Sequence, residues 1–333
     1  MSATLEEQPV ATVARGRAAN RAWDLIRRYV GVGSTWLLVI VFFAVTQPSF
    51  FTTGNILNIL RSETVLLLAS LGMTIVILGG GFDLSIGSLA ALAGVVLANL
   101  LRGGFPAGGA IALTVAICFA LGYAINGISI GRLNFNFFVV TLATLSIFRG
   151  GALLLSNGLS TSTFKWDLVQ FVGDGNLGGV PVPVLIAGVL YILGFLALTR
   201  LKFGRTIYAV GGNPEAAKLS GVNVAAVRTM MYGISGMMAG VAGVVLTGRL
   251  TSSQPVTGGI GLELEAAAAV LLGGTSFTGG SGGLGGTVIG ALYIGVLQNG
   301  LSIAGVPTFW QNVATGLILL LAVAFDRLKQ SSS

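Results

Sequence analysis

The sequence predicts an all-α polytopic membrane protein, from its composition, the length of its apolar segments and the placement of its basic residues. Of the 333 residues, 54% are hydrophobic and 9% are charged, whereas an ordinary soluble domain has about 25% charged residues. Apolar stretches of about 20 residues recur along the chain, and each can cross a hydrocarbon core about 30 Å thick as a helix. The short alternating segments typical of a β-barrel are absent from the sequence.

About ten apolar segments are candidate membrane spans. The eighth, 263–273, is too short to cross the membrane comfortably. It is therefore either a half-helix or begins earlier, near Val256, because Gly258, Gly259 and Gly261 interrupt the apolar pattern. The predicted spans are 34–47, 57–79, 84–101, 107–130, 137–156, 181–199, 227–248, 263–273, 284–303 and 308–325.

The basic residues predict the orientation. The net charge is +7, but Lys and Arg lie at the ends of apolar segments and form no single stripe, which favours orientation in a membrane over nucleic-acid binding. With both termini in the cytoplasm, most basic residues fall on the cytoplasmic side and the number of spans is even. The loop 156–180 is then external and the loop 200–228 cytoplasmic. The chain divides into an N-terminal tail with a juxtamembrane stretch (1–33), a transmembrane domain (34–326) and a C-terminal tail (327–333).

Several kinds of site chemistry are excluded by residues that the sequence lacks. Histidine is absent, which removes Ser-His and Cys-His nucleophile pairs and histidine-ligated zinc. The single cysteine, Cys118, lies in an apolar run, so no disulfide framework or cysteine metal cluster forms. No GxxxxGK pattern followed by Ser or Thr occurs, so this chain does not bind ATP through a P-loop. We expect no cofactor, no metal and no catalysis in this chain.

Four charged residues lie deep in apolar sequence, and all four are close to predicted span ends: Asp83, Arg149, Glu263 and Glu265. A carrier driven by protons or sodium more often has an acidic residue in the middle of a helix. The sequence therefore favours energy supplied from outside the chain.

Asp83 follows three glycines, a composition suited to a tight turn with Asp83 as the N-cap of the next helix. The alternative is a broken helix whose free N–H groups and carboxylate line the path of a polyhydroxylated substrate. Neutral amides and hydroxyls near the membrane could bind such a substrate, or simply hold helices together. The candidate pathway residues are Asp83, Ser85, Asn126, Asn136, Phe137, Thr141, Gln254 and Asn299.

A short helix is predicted inside the loop 200–228. Asn213 suits its N-cap, Pro214 its first turn, Glu215 its dipole and Gly221 its end. A helix of about seven residues is marginal in water. We therefore expect it to be packed on the membrane domain or docked into a partner.

The chain resembles the ribose-type permeases of bacterial ABC sugar importers, from about Trp36 to Lys329. It departs from the expected pattern at Glu265, where aspartate is usual, and in the polar Asn134-Phe135-Asn136 entry to the fifth span. The matching stretches are 79–88, 137–142, 211–217, 253–255, 263–276 and 322–326.

This resemblance implies the partners and the mechanism. It implies two permease copies in the bacterial inner membrane, with a cassette ATPase beneath them, as two subunits or one fused chain, that binds ATP and Mg. A periplasmic or lipid-anchored binding protein delivers a small sugar, such as a ribose-like pentose or another monosaccharide. Closure of the ATPase then drives alternating access in the permeases.

The segment from Gly212 to Gly221 resembles the coupling helix of this family, which docks into a cleft of the ATPase. The small side chains of Ala216 and Ala217 are expected to form an exposed surface that such a cleft accepts. The residues assigned to coupling are Gly212, Asn213, Pro214, Glu215, Ala216, Ala217, Lys218, Ser220 and Gly221.

Two other classes of protein are alternatives. An ATPase-independent secondary transporter or channel fits the general glycine-rich polytopic pattern. An intramembrane enzyme is opposed by the missing histidines and by the scarcity of carboxylates in mid-membrane. The sequence does not specify the sugar, because most selectivity in such an importer belongs to the binding protein.

Overall fold

The computed structural model describes residues 33–331 and consists almost entirely of helices. The predicted N-terminal tail lies, apart from its last residue, outside the described residues. The helices are α1 (Gly33–Thr46), α2 (Thr53–Leu78), α3 (Ile86–Arg102), α4 (Ala107–Leu121), a π-helical turn (Gly122–Gly127), α5 (Ile128–Gly131), α6 (Phe137–Ser156), α7 (Asp167–Asp174), α8 (Val182–Arg200), α9 (Lys202–Gly212), α10 (Pro214–Leu219), α11 (Val224–Arg249), α12 (Leu262–Leu272), α13 (Leu284–Ile303) and α14 (Thr308–Ser331).

Within residues 33–331, six helices are long and apolar enough to cross a membrane: α2, the continuous stretch from α4 to α5, α6, α8, α11 and α13. The other predicted spans are also helical, but α1 and α3 are shorter apolar helices and α12 has 11 residues. Of the two alternatives for the eighth span, the helix begins at Leu262 and does not extend back to Val256, whereas the count of ten spans stays a prediction. Helix α14 extends to Ser331 and so includes most of the predicted C-terminal tail.

Helices α2 and α11 form the centre of the bundle. Within the most apolar 18 residues of each helix, 83% of the residues of α2 and 72% of those of α11 are buried. The corresponding shares are 22% for α6 and 28% for α8. The outer helices turn leucine, valine and phenylalanine side chains outward, which suits a surface solvated by lipid. Buried polar side chains such as Glu63 and Ser235 lie on α2 and α11.

Small residues allow the helix axes to approach closely at the π-helical turn. A Cβ on Gly122 or Gly236 would collide with the backbone of the opposite helix, because the π-helical turn and α11 pack backbone to backbone. Close approach of this kind is how membrane helices associate where lipid provides no hydrophobic drive. The turn also places Asn126 inside the bundle, where it is fully buried.

Between α6 and α8 the chain forms a small folded cap at one end of the bundle, which we call the α7 end. The cap contains α7 and a hairpin of two-residue strands, β1 (Asn176–Leu177) and β2 (Val180–Pro181), which an all-α prediction did not include. An ion pair of 3.1 Å between Arg61 of α2 and Asp174 holds the cap down. At the opposite end, which we call the α10 end, lie α9 and α10.

Candidate coupling element and polar groups

Helix α10 has the boundaries that its sequence predicts. The side chain of Asn213 accepts a 2.9 Å hydrogen bond from the N–H of Ala216, and Pro214 occupies the first turn. At the other end Gly221 takes a left-handed conformation with φ of 83°, and its N–H donates to the carbonyl of Lys218. Caps at both ends define a rigid helix of six residues.

One face of α10 packs onto the bundle, and the other is open. Ala217 is 5% exposed and belongs to the same apolar cluster as Ile207, Val210 and Val227. The expectation that Ala217 offers an exposed surface is therefore wrong, because the helix is anchored through this side chain. The open face consists of Glu215, Ala216, Lys218, Leu219 and Ser220.

Leu219 is a residue of this face that the sequence analysis did not assign. Its side chain is 89% exposed, the largest exposed fraction among the exposed large apolar side chains of the described residues. Several of the other highly exposed apolar residues lie on bundle helices, whereas α10 lies in a short connection outside the long apolar helices. Leu219 thus lies with Glu215 and Lys218 on the open face of a capped helix.

Asp83 lies in a buried network and not on an open surface. It is 1% exposed, and its carboxylate accepts hydrogen bonds from the N–H of Ser85 at 3.0 Å and from its hydroxyl at 2.6 Å. The second carboxylate oxygen accepts a 2.6 Å bond from the hydroxyl of Ser235 in α11. Asn126 completes the network by donating to the Ser85 hydroxyl at 2.8 Å.

The prediction that Asp83 is the N-cap of α3 is wrong by two residues. The N-cap of α3 is Ser85, whose side chain makes no capping bond, and Asp83 lies two residues earlier. Asp83 instead closes an Asx turn on the N–H of Ser85 and links the α2–α3 turn to α11. A buried carboxylate is tolerated because hydrogen-bond donors replace the water that it loses.

The other candidate pathway residues do not converge on one place. Asn136 is exposed and caps α6 by accepting from the N–H of Phe138. Phe137 is half-buried beside Phe138, at 4.6 Å between ring centroids. The Thr141 hydroxyl donates to the carbonyl of Phe137 one turn back. These three residues form the first turns of α6 at the α10 end.

The remaining two pathway candidates lie elsewhere. The amides of Asn299 in α13 and Asn55 in α2 exchange two hydrogen bonds of 2.9 Å each. Gln254 is half-buried in the segment before α12, donates to the Ser252 hydroxyl and accepts from Thr257. The eight candidates therefore divide into one buried network and several separate contacts.

Glu63 is a buried acidic residue that the sequence analysis missed. It lies on α2, is 7% exposed, and its side chain packs directly against Gly295 of α13. Glu265 and Arg249 are its charged neighbours, and Glu265 itself accepts a 3.0 Å bond from Gln298. The premise that acidic residues lie only near span ends is thus wrong.

Half-exposed charges gather where α6 meets the segment before α12. The guanidinium of Arg149 donates to the carbonyl oxygens of Gly258 at 2.8 Å and Pro255 at 3.2 Å. Glu263 follows in the first turn of α12 and is also half-buried. A Cβ on Gly87 would touch the Glu263 carboxylate, so this side chain lies against the start of α3. Arg149 thus binds the segment that follows Gln254 and leads to Glu263, and we call these three half-exposed residues the polar strip.

The chain is similar to permease proteins over nearly its whole length. A family model described as "Branched-chain amino acid transport system / permease component" matches residues 55–323. The ribose import permease protein RbsC of Escherichia coli (strain K12) is 38% identical over 322 residues, which cover 96% of this chain and 99% of that protein. RbsC of Bacillus subtilis (strain 168) is 40% identical over 310 residues, covering 93% and 96%.

A third relative is the D-allose transport system permease protein AlsC of Escherichia coli (strain K12). It is 40% identical over 293 residues, covering 88% of this chain and 89% of that protein. No solved structure matches the chain significantly.

The chain is therefore a multi-pass membrane component of a transport system, and not an enzyme. It belongs to the family of transport-system permease components that this family model describes. The resemblance stated from the motifs is confirmed.

Proposed function

We propose that the chain is the membrane-spanning subunit of an ATP-driven importer that moves a small sugar into the bacterial cytoplasm. RbsC and AlsC are named for ribose import and D-allose transport. Their similarity extends over most of the chain and supports a ribose-like pentose or another monosaccharide as substrate. Two copies of the chain lie in the inner membrane and form the path by alternating access.

The proposal includes partners on both sides of the membrane. A cassette ATPase, as two subunits or one fused chain, lies beneath the permeases and binds ATP and Mg²⁺. A periplasmic or lipid-anchored sugar-binding protein docks above them. The α10 end is cytoplasmic and the α7 end external, which is supported by the excess of Lys and Arg in the loop 200–228 and beside it.

Helix α10 is proposed to be the element that docks into the ATPase. The observation that carries this proposal is its two-sided structure, in which Ala217 is buried while Leu219 is 89% exposed. Removal of an apolar side chain from water gains about 25 cal/mol per Å², so a cleft that covers Leu219 gains affinity. Glu215 and Lys218 flank it and give the surface both signs of charge.

The sugar is proposed to pass along the polar strip of Arg149, Gln254 and Glu263. Charged side chains within membrane-spanning protein usually face a bundle interior or a watery cavity, because lipid solvates them poorly. Their half-exposed position in one copy therefore favours a surface that faces the second copy across the path. Carboxylate and guanidinium groups make strong hydrogen bonds to hydroxyls without requiring a charged substrate.

The docking proposal is tested by co-expressing the chain with a cassette ATPase of the proposed importer and co-purifying the two in mild detergent. We expect Leu219→Asp to lose the ATPase while the variant still inserts and migrates normally. Leu177→Asp is the matched control, because Leu177 is 62% exposed at the α7 end and should retain the ATPase. Full ATPase recovery with Leu219→Asp would reject α10 as the docking element.

A further inference from the structure

Five glycines from three segments meet at the α10 end, and we call this contact the glycine junction. Gly211 and Gly212 end α9, Gly80 follows α2, and Gly279 and Gly280 lie in the segment that leads to α13. Together these segments join the base of α10 to the ends of two bundle helices.

The glycine junction is a contact of backbone on backbone. The N–H of Gly280 donates a 2.9 Å hydrogen bond to the carbonyl oxygen of Leu78, the last residue of α2. A Cβ on Gly280 would lie 2.6 Å from Cα of Gly212, and one on Gly279 would lie 2.8 Å from the nitrogen of Gly80. Because glycine has no side chain, the backbones of the three segments contact one another directly.

Gly211 is the central residue of this contact. A Cβ there would collide with the carbonyl oxygen of Leu78 and lie 2.7 Å from the nitrogen of Gly280. One side chain would therefore press on α2 and on the segment before α13 together. The hydroxyl of Tyr208, one turn earlier in α9, donates a 3.1 Å bond to the carbonyl of Gly282 and adds a second link to that segment.

The junction is connected rigidly to α10. Asn213 alone separates α9 from α10, and its N–H donates to the carbonyl of Ala209 while its side chain caps α10. Buried Ile207 and Val210 of α9 and Ala217 of α10 lie in one apolar cluster. A displacement of α10 must therefore move the end of α9. Since close-packed protein is hardly compressible, that displacement reaches whatever touches Gly211.

We propose that the glycine junction transmits movement of α10 to α2 and α13, with Gly211 as the key positioning residue. Helix α2 continues into the turn that contains Asp83, and the segment around Gly280 continues into α13. One movement at α10 is thus delivered to two bundle helices at once, which a two-state rocking of the bundle requires. This inference rests on the proposed function, in which α10 contacts the ATPase.

The test compares Gly211→Ala with Gly188→Ala in the complex of permease, ATPase and binding protein in liposomes. Both glycines are helical, Gly188 lies in α8 outside the junction and outside α10, and a Cβ on Gly188 would meet nothing within 4 Å. We expect Gly211→Ala to keep the ATPase bound but to transport about tenfold less sugar per ATP hydrolysed, within the roughly 5- to 150-fold span of typical coupling. Gly188→Ala should behave as wild type.

A second variant covers the case in which Gly211→Ala fails to fold. Tyr208→Phe removes only the hydroxyl bonded to Gly282 and adds no volume, so it should assemble normally and lose part of the coupling. Wild-type sugar transport per ATP in Gly211→Ala would overturn the inference, as would wild-type transport in Tyr208→Phe when Gly211→Ala does not assemble. Failure of the proposed function is distinguishable, because Leu219→Asp would then leave ATPase binding intact.

Discussion

Asp83 and Ser235 are 152 residues apart in sequence, yet the Ser235 hydroxyl donates a 2.6 Å hydrogen bond to the Asp83 carboxylate inside the bundle. This bond joins the turn between α2 and α3 to the central helix α11. The other carboxylate oxygen accepts hydrogen bonds from the N–H and the hydroxyl of Ser85. Hydrogen bonds to both carboxylate oxygens fix how the turn lies against α11.

Loss of the Asp83 carboxylate should destabilise the bundle. In Asp83→Ala the buried hydroxyl of Ser235 and the N–H of Ser85 lose their acceptor, and each unsatisfied group costs about 1–3 kcal/mol. We expect a lower unfolding temperature in detergent, with a smaller decrease for Asp83→Asn, which keeps an acceptor oxygen. In a double-mutant cycle, Asp83→Ala and Ser235→Ala should be strongly non-additive. Additive effects would mean that the bond contributes nothing.

The orientation is tested by cysteine labelling in intact cells, in a background without Cys118. We predict that Lys165→Cys, in the exposed part of the α7-end cap, reacts with a membrane-impermeant maleimide from outside. Ser220→Cys on the open face of α10 should react only after permeabilisation. Thr161 is a poorer site, because it is half-buried and bonded to Ser253. The opposite labelling pattern would show that the α7 end is cytoplasmic and the α10 end external.

The pathway proposal predicts different effects on sugar uptake for substitutions at two acidic residues, Glu263 and Glu63. Glu263→Gln should lower sugar uptake about tenfold or more, since a hydrogen bond to a charged group is worth roughly 1.5–3 kcal/mol. Glu63→Gln should leave ATP-driven uptake near wild type, because Glu63 is buried between helices and the energy comes from ATP. Uptake by both variants is compared at equal protein in the membrane. A severe loss of sugar uptake in Glu63→Gln alone would contradict the polar strip as the pathway and would place the pathway beside α2.

Bulk added to α10 should act differently at neighbouring positions. Ala217→Trp places a large side chain in a buried contact, where overpacking costs about 1–3 kcal/mol or more, so we expect poor folding. Ala216→Trp lies on the open face and should fold normally but lose the ATPase. Size-exclusion chromatography measures folding, and co-purification measures docking. If Ala217→Trp folds normally but no longer binds the ATPase, Ala217 lies on the docking surface, as the sequence predicted.

The sequence was sufficient for features that depend on local pattern. Apolar length placed every predicted span on a helix, and Asn213, Pro214 and Gly221 gave the bounds of α10 because capping depends on neighbouring residues. The N-cap of α3 was missed by two residues, since Asp83 and Ser85 both suit the turn. Helix ends are commonly uncertain by this amount.

The sequence was insufficient for features that depend on packing between distant segments. Which side of α10 faces the bundle is decided by contacts of Ala217 with α9 and α11, and a helix of six residues has too few positions to show a periodic pattern. Ser235 gave no signal, because a serine in a small-residue helix is ordinary packing. Glu63 could have been found by noting an acidic residue with a long apolar run directly after it.

The central claim is that ATP hydrolysis on a partner drives sugar through this chain. The direct measurement is uptake of radiolabelled ribose into liposomes that contain the chain and its ATPase, with the binding protein outside and ATP with Mg²⁺ trapped inside. We predict uptake that requires ATP, the ATPase and the binding protein, and that persists when ionophores collapse ion gradients. Sugar uptake by the chain alone, abolished by those ionophores, would contradict the account.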